Sequence, residues 1–429
     1  MSRSVLLVAY FYPPCPDAGA HRPAAMVKHL RRLGHRVTVL TTAAYGRAAG
    51  DEGTGPGSDV VRTGDLQLAR ARLRGKDRVQ GMYESDSYSG RPHFLSRVLV
   101  PEPLVLAWVP FALPRALRLH RAREFDAVIT TSPPESAHLV GRALGRRGAA
   151  WVADVRDAWT FEPLRPPFPT GAQRRLDERL ERGLLGAADV VTCVSRPAAD
   201  DLRARVGANV ELVPNGWDPD LAPAPDAPED EAAASLLDPD RTSLVYTGRF
   251  GSYGRDPRPL MAALRELAGT DPDAAARLEL VLAGPYTEDE LEVLQADLAP
   301  ARISVVGSLS RPRALALQRA ADALLLLASP ARSQLANLKL FEYLAAGRPI
   351  VALAGGTEAG RIVTDMGGGE VVRSDDVPEI AAALRRLVAK PIDKPDPDRV
   401  REYSYPPVAE RMADAIEHAL RRRLGSAPP

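Results

Sequence analysis

Short, continuously apolar runs alternate along this chain with stretches whose apolar positions recur at helical spacing. SVLLVAYFY, RVTVLTT, DAVITTS, AAWVADVRD, DVVTCVS and NVELVPN mark the first half. Each is rich in Val and lacks an in–out alternation, the pattern of strands buried on both faces. Amphipathic segments such as AAMVKHLRRLG lie between them. Strand, helix, strand in that order predicts right-handed crossovers and a parallel, doubly wound sheet. After NVELVPNGW the series restarts with SLVYTGR, LELVLAG, ISVVGS, DALLLLAS, PIVALAG and GEVV. The expected fold class is therefore α/β, as two facing Rossmann-like doubly wound parallel-sheet domains with a cleft between them. Residues 1–216 form the first domain, 217–398 the second, and 399–429 a C-terminal helix and tail.

Four stretches break the rhythm. Asp218 to Arg241 is polar and proline-rich and reads as a linker or exposed loop. Residues 44–93 read as a long loop, with a short strand around DVVR. Val98 to Leu113 is apolar, but three prolines and Glu102 interrupt it, so it is too short and broken to span a bilayer. A closing helix runs from about Arg399 to Leu424 and follows the last turn of the second domain.

A length of 429 residues suits two domains, and 45% apolar with 26% charged residues is ordinary for a soluble enzyme. Cys15 and Cys193 are too few and too far apart for a disulfide framework or zinc site, and no signal peptide is visible; a cytoplasmic location is expected. Net charge is +1, but residues 1–215 hold 31 Lys+Arg against 22 Asp+Glu (+9) and the remainder 25 against 33 (−8). A basic first half suits an anionic partner such as a lipid surface or phosphorylated acceptor. It equally fits solvated helix faces in an Arg-rich chain. No nucleic-acid partner is expected.

Three stretches carry chemistry. PPCPDAGAHR puts Gly19 just before a helix, where backbone amides can approach a phosphate; it is no GxGxxG, and an ordinary turn glycine fits as well. VYTGRFGSYGRDPRPL ends a buried strand in Gly248–Arg249 and adds Arg255 before the next helix. Two arginines there can grip a pyrophosphate through bidentate bonds, or can be solvated surface groups. ANLKLFEYLAAGRPIVALAGG places Lys339 and Glu342 on one helical face, with Gly347 and Pro349 as stop signals. A carboxylate there can chelate a ribose diol, or simply form a surface salt bridge.

With these stretches together, the chain resembles glycosyltransferase family 4, of the GT-B fold. FYPPxxxAGxxR, SPPESAHL, WVADVRDAW and ADVVTCVS are similar to the first domain of bacterial members, VELVPNGWD to the interdomain passage, and GRF, LAGPY and KLFEYLAAGRPIVA to the donor domain. The resemblance implies a retaining transferase that uses a nucleotide-diphosphate sugar as substrate, needs no further cofactor and has no obligatory metal. Glu342 would hold the donor ribose, and Arg249 the diphosphate, with Gly19 adding amides from across the cleft. Gly284 and the loop at Leu309 would border the base, and Arg156 and Asp157 would contact sugar or acceptor. VRDAW reads equally as a strand-end salt bridge.

Three positions depart from the family pattern. Gln334 stands eight positions before Glu342, where a first glutamate is common. Gly254 stands where a lysine usually follows the arginine, with Arg255 next to it. VITTSPP lacks the frequent strand-end histidine; His138, farther along, reads as a core or surface residue. Without a metal, Arg249, Arg255 and helix N-termini must neutralise the departing diphosphate. The acceptor is expected to be a growing glycan, a glycolipid or a small molecule, in cell-envelope or exopolysaccharide synthesis. Contact with the inner membrane face is expected through Arg115, Arg118, Arg121 and Arg123. Two other readings stand beside transfer: an inert sugar-nucleotide scaffold, which Gln334 favours, and an epimerase of the same fold.

Overall fold

The computed structural model describes residues 2–46, 59–73, 98–163, 167–221, 228–250, 254–294 and 298–425. The chain folds into two compact units: Met1–Asn215 with Tyr405–Pro429, and Gly216–Ser404.

The first unit is built on strands β1 (Ser4–Ala9), β2 (Arg36–Thr42), β3 (Val60–Thr63), β4 (Ala127–Ser132), β5 (Ala150–Val155), β6 (Val190–Cys193) and β7 (Val210–Leu212). They form one parallel sheet in the order β3-β2-β1-β4-β5-β6-β7. Every residue of β1, β4 and β5 is buried, as a central strand covered by helices on both faces requires. Each fully buried Val, Leu or Ile adds about 1.5–3 kcal/mol. Strand order reverses between β1 and β4, so the carboxyl ends of those two strands are where an open α/β sheet takes a ligand.

Within 44–93 the described residues 59–73 are more structured than a loop. DVVR forms β3 at the sheet edge, and a helix follows at Leu66–Leu73, with Asp65 Oδ1 accepting from the Gln67 amide at 2.7 Å. This helix is short and carries little amphipathic signal. The rest of that segment, 47–58 and 74–93, lies outside the described residues. Likewise the linker 218–241 holds a helix at Pro228–Ala234, while 222–227 lie outside the described residues. Val98 to Leu113 enters two helices, Leu104–Ala107 and Val109–Arg123. Among the described residues, no helix is long and apolar enough to cross a membrane.

The closing helix also differs from expectation. A short helix, Pro397–Arg401, stays with the second unit, and a separate one, Tyr405–Gly425, belongs to the first. Pro406 and Pro407 explain the break, because proline suits a helix's first turn and not its interior. Tyr405, Val408, Met412, Ile416 and Ala419 join the core beneath Val5, Leu7 and Ile129. Ion pairs Arg3–Glu417 (2.6 Å) and Arg423–Asp189 (3.2 Å) fasten the helix.

The second unit contains β8 (Thr242–Thr247), β9 (Leu278–Ala283), β10 (Arg302–Val305), β11 (Ala323–Leu327), β12 (Ile350–Leu353) and β13 (Gly369–Val372). They form a parallel sheet in the order β10-β9-β8-β11-β12-β13. Its order reverses between β8 and β11. Helices Arg258–Thr270 and Val377–Ala389 cover one face, and Arg311–Ala320 and Leu338–Ala346 the other.

Candidate functional site

The second unit gathers most of the expected donor residues at the carboxyl end of β8. Gly248 follows that strand with φ +127°, a conformation open in practice only to glycine. Its amide donates to the Ala283 carbonyl at 2.6 Å. Its own carbonyl lies so close to Gly284 that a β-carbon there would overlap it. Gly284 thus lets the ends of β8 and β9 meet, a packing duty beside the base-bordering one expected of it.

An aromatic stack braces this turn. The Tyr246 ring lies on Phe250 (centroids 4.6 Å, interplanar 6°), and Phe250 on Tyr286 (5.2 Å, 22°). The Tyr246 hydroxyl donates to the Arg249 carbonyl at 2.6 Å, and Arg255 Nη1 approaches that hydroxyl at 3.4 Å. Arg249 therefore has its backbone held and its side chain exposed, whereas Arg255 is buried.

The third cation and the carboxylate come from the Leu338–Ala346 helix. Asn337 caps its start by accepting from the Leu340 amide at 3.1 Å, and Gly347 ends it at φ +63°. Lys339 sits in the first turn, with Nζ 5.8 Å from the centre of the Tyr246 ring. Burial and the neighbouring Arg255 and Arg249 pull its pKa down to about 8, against the pull of Glu342 upward. Glu342, one turn on, pairs with Arg311 at 3.1 Å. Behind them the Tyr343 hydroxyl accepts from the Thr247 amide at 3.0 Å, and Gln318 Nε2 donates to Thr247 Oγ1 at 2.9 Å. Tyr246, Arg311, Gln318 and Tyr343 were not expected. Tyr343 alone had a signal, being the neighbour of Glu342 in KLFEYLAAG.

Leu309 packs, partly buried, against the core beneath the Arg311–Ala320 helix. Gln334 is buried in the connection after β11, and its Nε2 has no hydrogen-bond partner among the described residues. Ser329 Oγ, in the same connection, is also without one, and it would lie 2.8 Å from a β-carbon on Gly254.

In the first unit, Gly19 lies in a 3-10 turn, Ala18–Ala20, that runs into the His21–Arg32 helix. Its carbonyl accepts from Arg156 Nη1 at 2.5 Å. Arg156 also donates to the carbonyls of Ser132 and Pro133, each at 2.9 Å. Arg156 is therefore buried and turned onto backbone, where it ties the turn after β1 to the turn after β4. That gives it a positioning duty beside the sugar or acceptor contact expected of it; Asp157, next in sequence, is partly buried. Nearby, Arg22 Nη2 meets Asp154 Oδ1 at 2.8 Å and the Val213 carbonyl at 2.9 Å, while Nη1 holds the Pro214 carbonyl at 2.6 Å. Thr131 and Thr192 hydroxyls complete the Asp154 carboxylate at 2.8 and 2.9 Å.

His138 is a core residue, as its sequence setting suggests. Its Nδ1 meets Thr130 Oγ1 at 2.8 Å, and Trp151 Nε1 donates to the same hydroxyl at 2.8 Å. Cys15 and Cys193 are buried free thiols.

Two doubly wound units, the second with cations and a carboxylate where its strand order reverses, follow the plan of GT-B glycosyltransferases. Models of the Glycosyl transferase 4-like domain and of Glycosyl transferases group 1 match residues 19–216 and 241–390, and the chain belongs to this family 4-like group of GT-B glycosyltransferases. Among solved structures it is similar to sucrose-phosphate synthase from Thermosynechococcus elongatus, with 18% identity, TM-score 0.63, and 99% of this chain and 100% of that one covered. An E. coli structure described as trehalose-6-phosphate bound with UDP-2-fluoro glucose aligns with 15% identity, TM-score 0.58 and coverage of 96% and 99%. Anabaena HepE in complex with UDP aligns with 14% identity, TM-score 0.54 and coverage of 97% and 99%. No curated protein matches the chain in sequence.

Proposed function

We propose that this glycosyltransferase binds its nucleotide-diphosphate sugar in the second unit and transfers the sugar with retention, without needing a metal. The observation that carries this reading is the convergence of Arg249 and Arg255 with Glu342 around the end of β8. Arginines there supply fixed positive charge to the diphosphate, which is where negative charge grows as the sugar leaves. Glu342 offers its oxygens to the ribose diol. The acceptor hydroxyl attacks on the departing group's face: the sugar–phosphate C–O bond breaks, its electron pair stays on the diphosphate, and that oxygen takes the hydroxyl proton.

UDP is the first nucleotide to test, since two of the similar structures are described with UDP or a UDP-sugar. A thermal-shift panel with UDP, GDP and ADP, repeated on Glu342→Ala, tests the donor site, because a ligand that binds only the native state raises its melting point. One nucleotide stabilising the wild type and not the mutant is the expected result. No shift with any of the three would count against the site. Product NMR then reads the anomeric configuration, and an assay in EDTA the metal requirement. Binding without turnover of any acceptor would favour the scaffold reading, with Gln334 as its cause.

For the acceptor, the reading is a growing glycan or glycolipid of cell-envelope or exopolysaccharide synthesis, met at the inner membrane face. Arg118 and Arg121 are exposed on the Val109–Arg123 helix, and Leu106 and Phe111 near its start are 54% and 38% exposed. Arg123 is instead bonded to Thr38 Oγ1 at 2.7 Å. Flotation with anionic vesicles should lose binding in Arg118→Glu/Arg121→Glu. Unchanged flotation would leave a soluble small-molecule acceptor as the better choice.

A further inference from the structure

Lys339 is a cation in an unfavourable place. It stands in the first turn of its helix, where the unpaired amides already carry positive charge. Arg255 and Arg249 add to that field, and the nearby carboxylate, Glu342, is paired with Arg311. Lys339 makes no hydrogen bond or ion pair with any described residue. Yet its amine is held in a definite spot. It crosses the α-carbon of Gly248, where a β-carbon would overlap both Nζ and Cε. The glycine is thus needed twice, for its φ of +127° and for the passage of the lysine.

A partly buried cation among like charges is stabilised only when an anion arrives. We propose that Lys339 binds the donor diphosphate in place of the lysine missing at Gly254, and that Gly248 is the gap through which its amine reaches the phosphates. This rests on the reading of the second unit as the donor site. Arg255, next to the vacant position, is buried against the Tyr246 hydroxyl, so it adds positive charge to the site from a fixed place while the amine of Lys339 makes the contact. The depressed pKa of about 8 agrees with a cation lacking its counter-charge.

The test is calorimetric titration of the full chain with the nucleoside diphosphate that the wild type binds, and with the matching nucleoside. Lys339→Met should weaken the diphosphate at least tenfold and the nucleoside less than twofold. Gly248→Ala should do the same with the lysine still present, and the double variant should be no weaker than either single one. Diphosphate binding by Lys339→Met within twofold of wild type would overturn the proposal, as would an equal loss for the nucleoside. A wild type that binds none of the three diphosphates would instead remove the donor-site reading, and the proposal with it. A measurement that needs no variant is acetylation of the wild type with limiting anhydride at pH 8, read by mass spectrometry. Lys339 should be protected by the diphosphate and not by the nucleoside; equal labelling in both would overturn the proposal.

Discussion

Arg311 Nη2 donates to Glu342 Oε1 at 3.1 Å, so the carboxylate assigned to the ribose is oriented before any nucleotide arrives. One oxygen bound to Arg311 still has a lone pair to share, and the other is left for the second hydroxyl. Arg311 thus fixes the carboxylate's direction. Both side chains are partly exposed, which limits such a pair to about 0.2–1 kcal/mol. Arg311→Ala should therefore weaken nucleotide binding by about two- to fivefold, and Glu342→Ala should weaken it more. Titration of both variants checks the order; an Arg311→Ala protein that binds more tightly would mean that the arginine competes with the ribose.

The contact proposed between Lys339 and the diphosphate predicts a pH dependence of nucleotide binding. The Lys339 pKa in the ligand-free protein is about 8, below the ordinary 10.5. The diphosphate prefers the protonated amine, so affinity should fall as pH rises from 8 towards 9.5. Lys339→Met should abolish that fall. Without ligand the trend reverses. Between pH 8 and 10.5 the unfolded chain holds more protons than the native one, so this residue makes the fold more stable as pH rises. Melting curves across that window, in wild type and Lys339→Met, separate the two effects.

The Arg22–Asp154 pair is buried in the first unit. Burial alone would raise the Asp154 carboxyl, but Arg22 and the Thr131 hydroxyl hold it below its ordinary value. Arg22→Met leaves a buried charge without its partner and should cost about 3–5 kcal/mol. Arg22→Met/Asp154→Leu should recover most of that, which denaturant unfolding can measure. A depressed carboxyl stabilises above the unfolded-state pKa and loses that contribution as pH falls through the native value. Acid unfolding of the double variant should accordingly be less steep.

His138 should behave as a core histidine and leave the chemistry untouched. Burial pushes its pKa down to about 4 from 6.5, so the native residue is neutral where the unfolded one is charged. Stability is lost as pH drops from 6.5 to 4, because the unfolded state takes up the proton first. His138→Gln, which can keep a bond to Thr130, should flatten that part of the melting profile. Its pH–rate profile above pH 7 should match the wild type.

The strands of both sheets are legible in the sequence because a strand covered on both faces is apolar without interruption, as in Val5–Val8 or Leu324–Leu327. Helices are harder when they are short: Leu66–Leu73 has only eight residues in which to show a period. The residues proposed for the donor stand out in the sequence as glycines and charges at strand ends. Their partners do not, because Arg311 meets Glu342 across 31 positions and Gly248 meets Lys339 across the sheet's crossover. Arg156 shows the opposite limit. A charged residue at a strand end looks like a substrate contact until its direction is known, and here it points at the carbonyls of Gly19, Ser132 and Pro133.

The Tyr405–Gly425 helix also sets an order of events during synthesis. The second unit is one uninterrupted stretch, Gly216–Ser404, and the first is not. While the ribosome is still making the second unit, the sheet face carrying Val5, Leu7 and Ile129 waits without Tyr405, Met412 and Ile416. The unit begun first is thus completed last. A nascent chain stalled before residue 405 presents a finished second unit joined to a first unit with an open apolar face, the kind of surface that chaperones hold.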